Sequence, residues 1–238
     1  MPMTEADGLD GLVNLRDLGG IPLAGGETTS TGVVLRSDAP YHGDRDPELT
    51  WPPKTVVDLR DPAELNGRGH PLAAVAEVRS VPLLEDVGDG DPDDTRHALT
   101  HLYEHIVDRA PHRLVEVFRI AVEADGPVLI HCAAGKDRTG VASAMLLGAV
   151  GARPDAIVAD YVRTDRNMRR VLMRLNGGSL PPGVDEEMVL QLASTPVEAI
   201  ELVLSRFDQH GGAAGWLRSH GVRDEEIELW RKRFVDAG

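Results

Sequence analysis

The sequence predicts an α/β fold, in which helices flank a central, mostly parallel sheet and a helical subdomain follows at the C-terminal end. Two short apolar runs between turn residues, 55–59 and 127–131, have the pattern of buried strands in a parallel sheet. Strand and helix signals alternate up to about residue 175, and beyond Pro196 the pattern is almost wholly helical. This order is typical of an α/β domain that ends in helices.

Each remaining element is predicted from a local signal. A last helix is expected over about 224–235, because acidic residues fill its first turn and basic residues its last, which suits the helix dipole. The Gly- and Pro-rich stretch 177–183 is the best internal break, so we expect an α/β core over 12–176 and a helical part of the same domain over 177–238. The other expected elements are strands at 33–35 and 78–82, and helices at about 94–124 with a break at Pro111, 139–150, 155–175 and from 197 onward.

Composition narrows the classes of function. The 238 residues, 42% of them hydrophobic, suffice for one well-formed core. With 25 basic and 39 acidic residues the net charge is −14, which disfavours nucleic acid and anionic membrane surfaces as partners. Cys132 is the single cysteine, so no intrachain disulfide can form and a reducing compartment is favoured. Without a signal-peptide pattern or a run able to cross a bilayer, we expect a cytoplasmic protein without membrane insertion; its oligomeric state stays open.

The stretch 128–140, VLIHCAAGKDRTG, is the part of the sequence that predicts chemistry. A buried strand carries Cys132 to its C-terminal end, where ligands bind in open α/β sheets. Five residues separate Cys132 from Arg138 at the expected start of a helix, so their backbone N–H groups can form an anion cradle. The N–H groups of this cradle and the guanidinium of Arg138 would stabilise a thiolate nucleophile and bind the phosphoryl oxygens. Gly135 permits a positive φ in a tight loop, and Thr139 is placed to hydrogen-bond the sulfur.

The signature His-Cys-x5-Arg-[Ser/Thr] in this stretch resembles the active-site loop of the cysteine-dependent phosphatase superfamily. Its narrower form, HCxxGKDRTG, resembles the bacterial tyrosine/serine protein phosphatases, a family of dual-specificity and phosphoinositide type. Further similar segments are NLRDLGG at 14–20, LRS at 35–37, VVDLR at 56–60, STPVEA at 194–199 and GVRDEEI at 221–227. The resemblance extends from about residue 12 to residue 235.

The resemblance implies a phosphomonoesterase, foremost a protein tyrosine phosphatase of dual specificity, that forms a phosphocysteine on Cys132 and needs no metal or other cofactor. For the general acid the family pattern favours Asp137, and Asp86 is the alternative. The segment Trp51-Pro52-Pro53 only superficially resembles a Trp-Pro-Asp acid loop, because it contains no aspartate. The groups expected to bind the phosphoryl oxygens are Arg138 and the loop residues Ala133, Ala134, Gly135, Lys136 and Asp137.

Residues outside the nucleophile and the arginine are expected to support the loop. His131 is expected to order it by hydrogen bonds rather than to transfer protons. Lys136 is expected to make a second phosphate contact, which would suit polyanionic substrates such as phosphoinositides. Three interpretations, namely a supporting buried network, direct substrate contacts or plain surface charges, remain open for Arg16, Asp17, Asp58 and Arg60.

Two helical segments carry clustered polar residues. His97, His101 and His105 recur at every fourth position, a spacing that can bind zinc, but no fourth ligand is apparent and a solvated or pocket-lining face is expected. The run 160–163, followed by three further arginines, predicts a mixed helix surface.

The expected substrates are a phosphorylated protein, a phosphoinositide or a small-metabolite phosphate. An alternative of another class is a phosphate-dependent binding module that does not hydrolyse its ligand. Such a module normally lacks the cysteine or the arginine, and both are present here. Sulfur transfer of the rhodanese type is disfavoured by the position of Arg138 and Thr139, which follow Cys132 after five residues.

Overall fold

The computed structural model describes residues 9–65, 67, 69–84, 95–179 and 196–236. Its strands are β1 (Arg16–Asp17), β2 (Thr28–Thr29), β3 (Val34–Ser37), β4 (Thr55–Asp58), β5 (Glu77–Ser80), β6 (Val128–His131) and β7 (Val235–Asp236). Within the described residues one sheet has the order β1-β3-β6-β4-β5, in which only the edge strand β1 is antiparallel, and β2 and β7 form a separate antiparallel pair. The predicted α/β fold with a mostly parallel sheet is therefore confirmed.

Helices connect and follow these strands. They are α1 (Thr95–Glu104), α2 (Pro111–Glu123), α3 (Asp137–Ala149), α4 (Pro154–Val162), α5 (Asp165–Leu175), α6 (Val197–Asp208), α7 (Ala213–Ser219) and α8 (Asp224–Phe234), with a 3-10 turn at Pro62–Leu65 and a π-helical turn at His105–Arg109. The predicted break at Pro111 is confirmed. There the N–H of Ala110 donates to the carbonyl of His105 at 3.0 Å, and Pro111 has no N–H with which to continue the ladder.

The core is built around β6 and α3. Every residue of β6 is buried between β3 and β4, and α3 is buried along almost its whole length. The C-terminal helices pack on the same core, where Trp230 donates its indole N–H to the carbonyl of Leu146 at 3.0 Å. The division of the chain after residue 176 stays a prediction.

Three sequence-based expectations are wrong in detail. The predicted helix 155–175 divides into α4 and α5 at a tighter turn, in which the N–H groups of Arg163 and Thr164 donate to the carbonyls of Asp160 and Tyr161 at 3.2 Å. The Thr164 hydroxyl accepts a hydrogen bond from Arg16 Nη2 at 3.2 Å. The C-terminal part also contains a strand, β7. The predicted mixed helix surface over 160–163 and the following arginines is observed only in part. Asp160 and Tyr161 are buried, with Asp160 ion-paired to Arg16 and Arg36. The side chains of Arg163, Arg166 and Arg170 are exposed.

Parallel pairing brings three strand ends together. Ser37 of β3 and Asp58 of β4 both pair in register with His131 of β6. The chain that leaves β6 therefore emerges at the carboxyl edge of the sheet, between two neighbouring strand ends. Among the helices of the described residues, none combines the length and the apolar character that a bilayer crossing requires.

Candidate active site

Cys132 follows β6 directly and begins the loop 132–136 that leads into α3. It carries a free thiol, and only 3% of the residue is exposed. The helix begins at Asp137, two residues earlier than predicted, so the loop ends where backbone N–H groups lack intrahelical partners. This arrangement directs the positive end of the α3 dipole toward the loop, where an anion can bind.

Side chains from two neighbouring elements hold the backbone of this loop. Asn14 Nδ2 donates to the carbonyls of Ala134 and Gly135 at 3.1 and 3.2 Å, and Arg36 Nη2 donates to the carbonyl of Gly135 at 2.9 Å. Gly135 has a φ of +68°, and a Cβ there would clash with the Ser37 carbonyl. The position needs glycine for both reasons. Because the carbonyls are bonded on the outside, the loop's N–H groups are free to converge on its interior.

Arg138 lies in the first turn of α3 and is ion-paired. Nη1 and Nη2 face the two carboxylate oxygens of Glu64, with Nη2 2.8 Å from Oε1, and Nη1 lies 3.4 Å from Asp61. Although burial opposes both shifts, this pairing raises the pKa of Arg138 and lowers the pKa of Glu64. Within the described residues no acceptor binds Nε of Arg138. The edge formed by Nε and the outer N–H of Nη2 is therefore available for a phosphoryl group.

Asp137 is held by a short chain of phenols. The hydroxyl of Tyr103 donates to Oδ1 of Asp137 at 2.8 Å and lies 2.6 Å from the hydroxyl of Tyr161. Tyr103 is wholly buried, and Lys136 places its Nζ 3.9 Å from the same carboxylate oxygen. Tyr103 therefore fixes the orientation of the Asp137 carboxyl group through Oδ1.

His131 links the end of β6 to a second histidine. Its Nδ1 lies 3.1 Å from the carbonyl oxygen of Cys132, and its Nε2 lies 3.0 Å from Nε2 of His70. Asp58 Oδ1 is 3.8 Å from His131 Nε2, and both oxygens of Asp58 are bonded by Arg60 at 2.9 and 2.7 Å. The possible ligand atoms of Asp58, His70 and His131 all lie within 4.8 Å of one another. In the part of the chain that the structure describes, this is the group of residues close enough together to be considered for a metal ion.

A buried carboxylate ties two arginines together behind the loop. Asp160 Oδ1 accepts from Arg16 Nε at 2.7 Å, and Oδ2 accepts from Arg36 Nη1 at 2.6 Å. Burial alone would raise the pKa of Asp160, but Arg36 and Arg16 hold it below its ordinary value. Arg16 also donates to Oδ1 of Asn14 at 2.8 Å. The network therefore positions the two side chains, Asn14 and Arg36, that bond the loop carbonyls.

Some predicted site residues are not brought into this arrangement. The Thr139 hydroxyl is buried without a hydrogen-bond partner in the described chain, so the expected bond to the sulfur is not formed; α3 has already begun two residues earlier. Asp17 accepts from the N–H groups of Gly19 and Gly32, both at 2.7 Å, and so fixes a turn away from the loop. Asp86 lies outside the described residues.

The histidine face of α1 does not continue as predicted. His101 is exposed and lies 3.8 Å from Glu104, whereas His105 begins the π-helical turn, so the regular α-helical spacing ends before it. The side chain of His97 lies outside the described part.

Sequence reasoning assigned no role to several residues that the fold brings to the site. Asn14 and Arg36, which bond the loop carbonyls, stand within the similar segments 14–20 and 35–37. Glu64 had a usable signal, because it follows Asp58 and Arg60 within one short charged run after β4. Asp160 had another, since helical spacing places it on the same face as the apolar Ile157. No local pattern marks His70 or Tyr103.

An open cleft is bordered by Glu64, the ion-pair partner of Arg138. It is lined by Pro40, Tyr41, His42, Arg60, Glu64, Leu65, Gly69 and Pro71. The cleft therefore lies next to the carboxylate that holds the guanidinium of Arg138. A buried thiol, an anion-binding loop, a fixed arginine and an adjacent carboxyl can together perform nucleophilic displacement at phosphorus.

Sequence comparisons agree with this chemistry. A family model described as the tyrosine phosphatase family matches residues 8–236. A Cupriavidus necator protein assigned as a tyrosine-protein phosphatase is 30% identical over 201 residues, which is 74% of this chain and 70% of that protein. The triple specificity protein phosphatase PtpB of Mycobacterium tuberculosis is 46% identical over 136 residues, and a tyrosine-protein phosphatase of Nostoc commune is 31% identical over 126. These matches cover 52% and 50% of this chain, and the chain spans less than half of the latter two relatives, 48% and 43%.

Solved structures add a partial likeness. Two crystal structures of TpbA from P. aeruginosa, one in complex with pTyr, are 18% and 20% identical to the chain. Each covers 68% of this chain, and 86% and 87% of TpbA, with TM-scores of 0.31 and 0.28.

Proposed function

The chain belongs to the tyrosine phosphatase family, and we propose that it hydrolyses phosphotyrosine in proteins through a phosphocysteine on Cys132. The observation that carries the proposal is the position of two residues at the two ends of one loop. Cys132 leaves the central strand at the edge where ligands bind, and Arg138 is held at the start of α3 by Glu64 with one edge unused. Transfer of a phosphoryl group to sulfur requires a nucleophilic thiol and a group that binds the phosphoryl oxygens. Both are fixed in position before the substrate binds.

In the first step the thiolate of Cys132 attacks phosphorus and forms an S–P bond while the P–O bond to the tyrosine breaks. Negative charge on the equatorial oxygens is stabilised by the loop N–H groups and by the free edge of Arg138. Asp137 gives its proton to the leaving phenolic oxygen, so that neutral tyrosine departs. We assign this role to Asp137 because it is the first residue of α3, next to Arg138, and Tyr103 fixes its carboxyl group.

In the second step water attacks the phosphocysteine. The carboxylate of Asp137, left by the first step, takes a proton from the water as the O–P bond forms. The S–P bond breaks, inorganic phosphate is released and Cys132 returns as thiolate. The chain's own residues account for every proton and bond in this sequence, so the proposal requires no cofactor.

The substrate range is proposed to include a second class, phosphoinositides. Lys136 lies within the loop, and the relative PtpB is named for triple specificity. A buried lysine beside the phosphate loop would favour substrates with additional phosphate groups. A small-metabolite phosphate remains the alternative to both. The lone thiol, which must stay reduced to act, fits a cytoplasmic location, which we also propose.

The experiment is a comparison of phosphate release from four substrate sets: phosphotyrosine peptides, phosphoserine and phosphothreonine peptides, phosphoinositides, and metabolite phosphates. We expect the highest kcat/KM on phosphotyrosine peptides. The Cys132→Ser variant, assayed with a chelator present, is the matched control and should release no phosphate above background. Binding of phosphopeptide by the native chain without release of phosphate would instead identify a binding module and contradict the proposal.

A further inference from the structure

We propose that His70 is a positioning residue that fixes the proton of His131 on Nδ1, where it supports the backbone of the nucleophile Cys132. The inference rests on the proposed function, because it gives the two histidines a role in orienting the catalytic loop. It concerns a residue outside the signature, on the segment between the 3-10 turn and β5.

The direction of each hydrogen bond follows from one fixed donor. The backbone N–H of Leu72 donates to Nδ1 of His70 at 3.1 Å, so this nitrogen has no proton. A neutral His70 must then carry its proton on Nε2. That N–H points at Nε2 of His131 at 3.0 Å, which accepts it. His131 in turn has its proton on Nδ1 and donates to the carbonyl of Cys132 at 3.1 Å.

Both rings are neutral near pH 7, as this chain of bonds requires. Burial lowers the pKa of His131 to about 4 and also lowers the pKa of His70. Each ring therefore has a single proton, and the choice of nitrogen decides what it can bond.

The carboxylate of Asp58 favours the opposite tautomer of His131. Its Oδ1 lies 3.8 Å from Nε2, so without another donor the proton would be drawn to Nε2 and toward the carboxylate. Nδ1 would then present a lone pair to the Cys132 carbonyl oxygen, and the contact would become repulsive. Donation by His70 removes this alternative. Arg60, which bonds both oxygens of Asp58, weakens the competing attraction.

The same geometry disfavours a metal ion among these three residues. A metal bound to His70 through Nε2 requires the ring proton on Nδ1, where it would meet the N–H of Leu72. The positive charge of Arg60 is already paired with the carboxylate that would be the third ligand. A hydrogen-bonded pair is therefore the better account of the short contact between the two rings.

The experiment combines two variants with a spectroscopic readout. The amide nitrogen of glutamine can reach the position of histidine Nε2, whereas asparagine reaches only that of Nδ1. His70→Gln therefore keeps a donor to His131, and His70→Asn keeps an acceptor for Leu72 but loses that donor. Long-range 1H–15N correlation spectra report which ring nitrogen of His131 is protonated, independently of turnover.

In the native protein we expect the His131 proton on Nδ1 and the His70 proton on Nε2. His70→Asn should move the His131 proton to Nε2 and lower kcat by about 2- to 10-fold, the range for one lost hydrogen bond. His70→Gln should restore the Nδ1 tautomer and most of the rate. Melting temperatures identify any loss of fold, and the native spectrum tests the assignment even if a variant does not fold.

Three results would overturn the inference: a His131 proton on Nε2 in the native protein, an unchanged tautomer in His70→Asn, or equal losses of rate in both variants. Zn²⁺ added in stoichiometric amount is the further arm. A shift of both ring signals on its addition, reversed by a chelator, would identify a metal site instead. If the native protein releases no phosphate but the tautomers are as expected, the proposed function fails while the hydrogen-bond assignment stands.

Discussion

The guanidinium of Arg138 lies end-on against the carboxylate of Glu64, with Nη2 2.8 Å from Oε1. The two residues come from different elements, the first turn of α3 and the 3-10 turn after β4. A bidentate pair of this kind fixes the plane of the guanidinium as well as its position. The orientation of the phosphate-binding edge is therefore set by a residue outside the signature loop.

Glu64→Gln should impair catalysis, because the guanidinium of Arg138 would no longer be held in one orientation. Replacing one carboxylate oxygen by an amide NH2 sets a donor against the donors of Arg138, so we expect kcat/KM to fall by about 10-fold or more, as for a lost hydrogen bond to a charged group. Competitive inhibition by inorganic phosphate should weaken in parallel. Asp61→Asn is the matched control, because its oxygen is 3.4 Å from Arg138 and its loss should matter less. A larger effect at Asp61 than at Glu64 would contradict this assignment.

Arg138→Lys should lose most activity although the charge is kept. An ammonium group cannot pair with both oxygens of Glu64 and also offer two parallel N–H groups to phosphate. The expected cost is about 2–4 kcal/mol in the transition state, comparable to deleting an oxyanion donor. It is measured as kcat/KM on a phosphotyrosine peptide, and a near-native value would mean that the loop is not the phosphate site.

Asp137→Asn tests the general acid through the choice of leaving group. An alkyl phosphate needs a proton on its leaving oxygen, whereas an activated aryl phosphate does not, so the variant should slow the alkyl substrate far more. Tyr103→Phe, which removes the hydroxyl bonded to Oδ1, should show the same selectivity to a smaller extent. Equal losses on both substrates in Asp137→Asn would shift the role to Asp86 or another group.

Asp160→Asn should destabilise the fold, because it leaves Arg16 and Arg36 buried without their shared carboxylate. Breaking a buried ion pair by removing one partner typically costs about 3–5 kcal/mol in free energy of unfolding, measured here by denaturant titration. Asp155→Asn is the control: its pair with Arg153 is exposed, and no measurable change is expected.

The loss of stability in Asp160→Asn should depend on pH in a defined direction. Burial opposes the shift, yet Arg36 and Arg16 keep the pKa of Asp160 below its unfolded value of about 4. The carboxylate therefore stabilises the native state fully above that pH, and the contribution is lost as the pH falls toward the folded pKa. The gap in unfolding free energy between native protein and variant should narrow below about pH 4. A gap that widens there would contradict the assigned charge state.

The sheet was predictable because its buried strands leave strong local signals. The runs at 55–59 and 127–131 became β4 and β6, since continuous apolar residues between turns have few alternatives in a chain of this size. The two-residue strands β1, β2 and β7 were not predictable, because two residues are too few to show an apolar run or an alternating pattern. The division between α4 and α5 also left no breaker residue in the sequence, since no proline or glycine stands at 162–165.

The candidate site likewise has a part that the sequence predicts and a part that only the fold brings together. The loop from Cys132 to Arg138 is contiguous, so spacing alone indicates an anion site at a strand end. Glu64 and His70 lie between β4 and β5, far from this loop in sequence, and come near it only in the folded chain. Thr139 shows the limit of spacing arguments, because its position suggested a bond to the sulfur, whereas its hydroxyl is buried without a hydrogen-bond partner among the described residues.

The most direct test of the account is detection of the phosphocysteine itself. Native protein mixed with a phosphotyrosine peptide and quenched in acid within milliseconds should carry one phosphoryl group, located on Cys132 by peptide mass spectrometry. Asp137→Asn, with slower hydrolysis of the intermediate, should accumulate more of it from an activated aryl phosphate. Cys132→Ser should carry none. Steady release of phosphate by native protein with no adduct at any quench time, together with turnover by Cys132→Ser, would contradict nucleophilic catalysis by this cysteine.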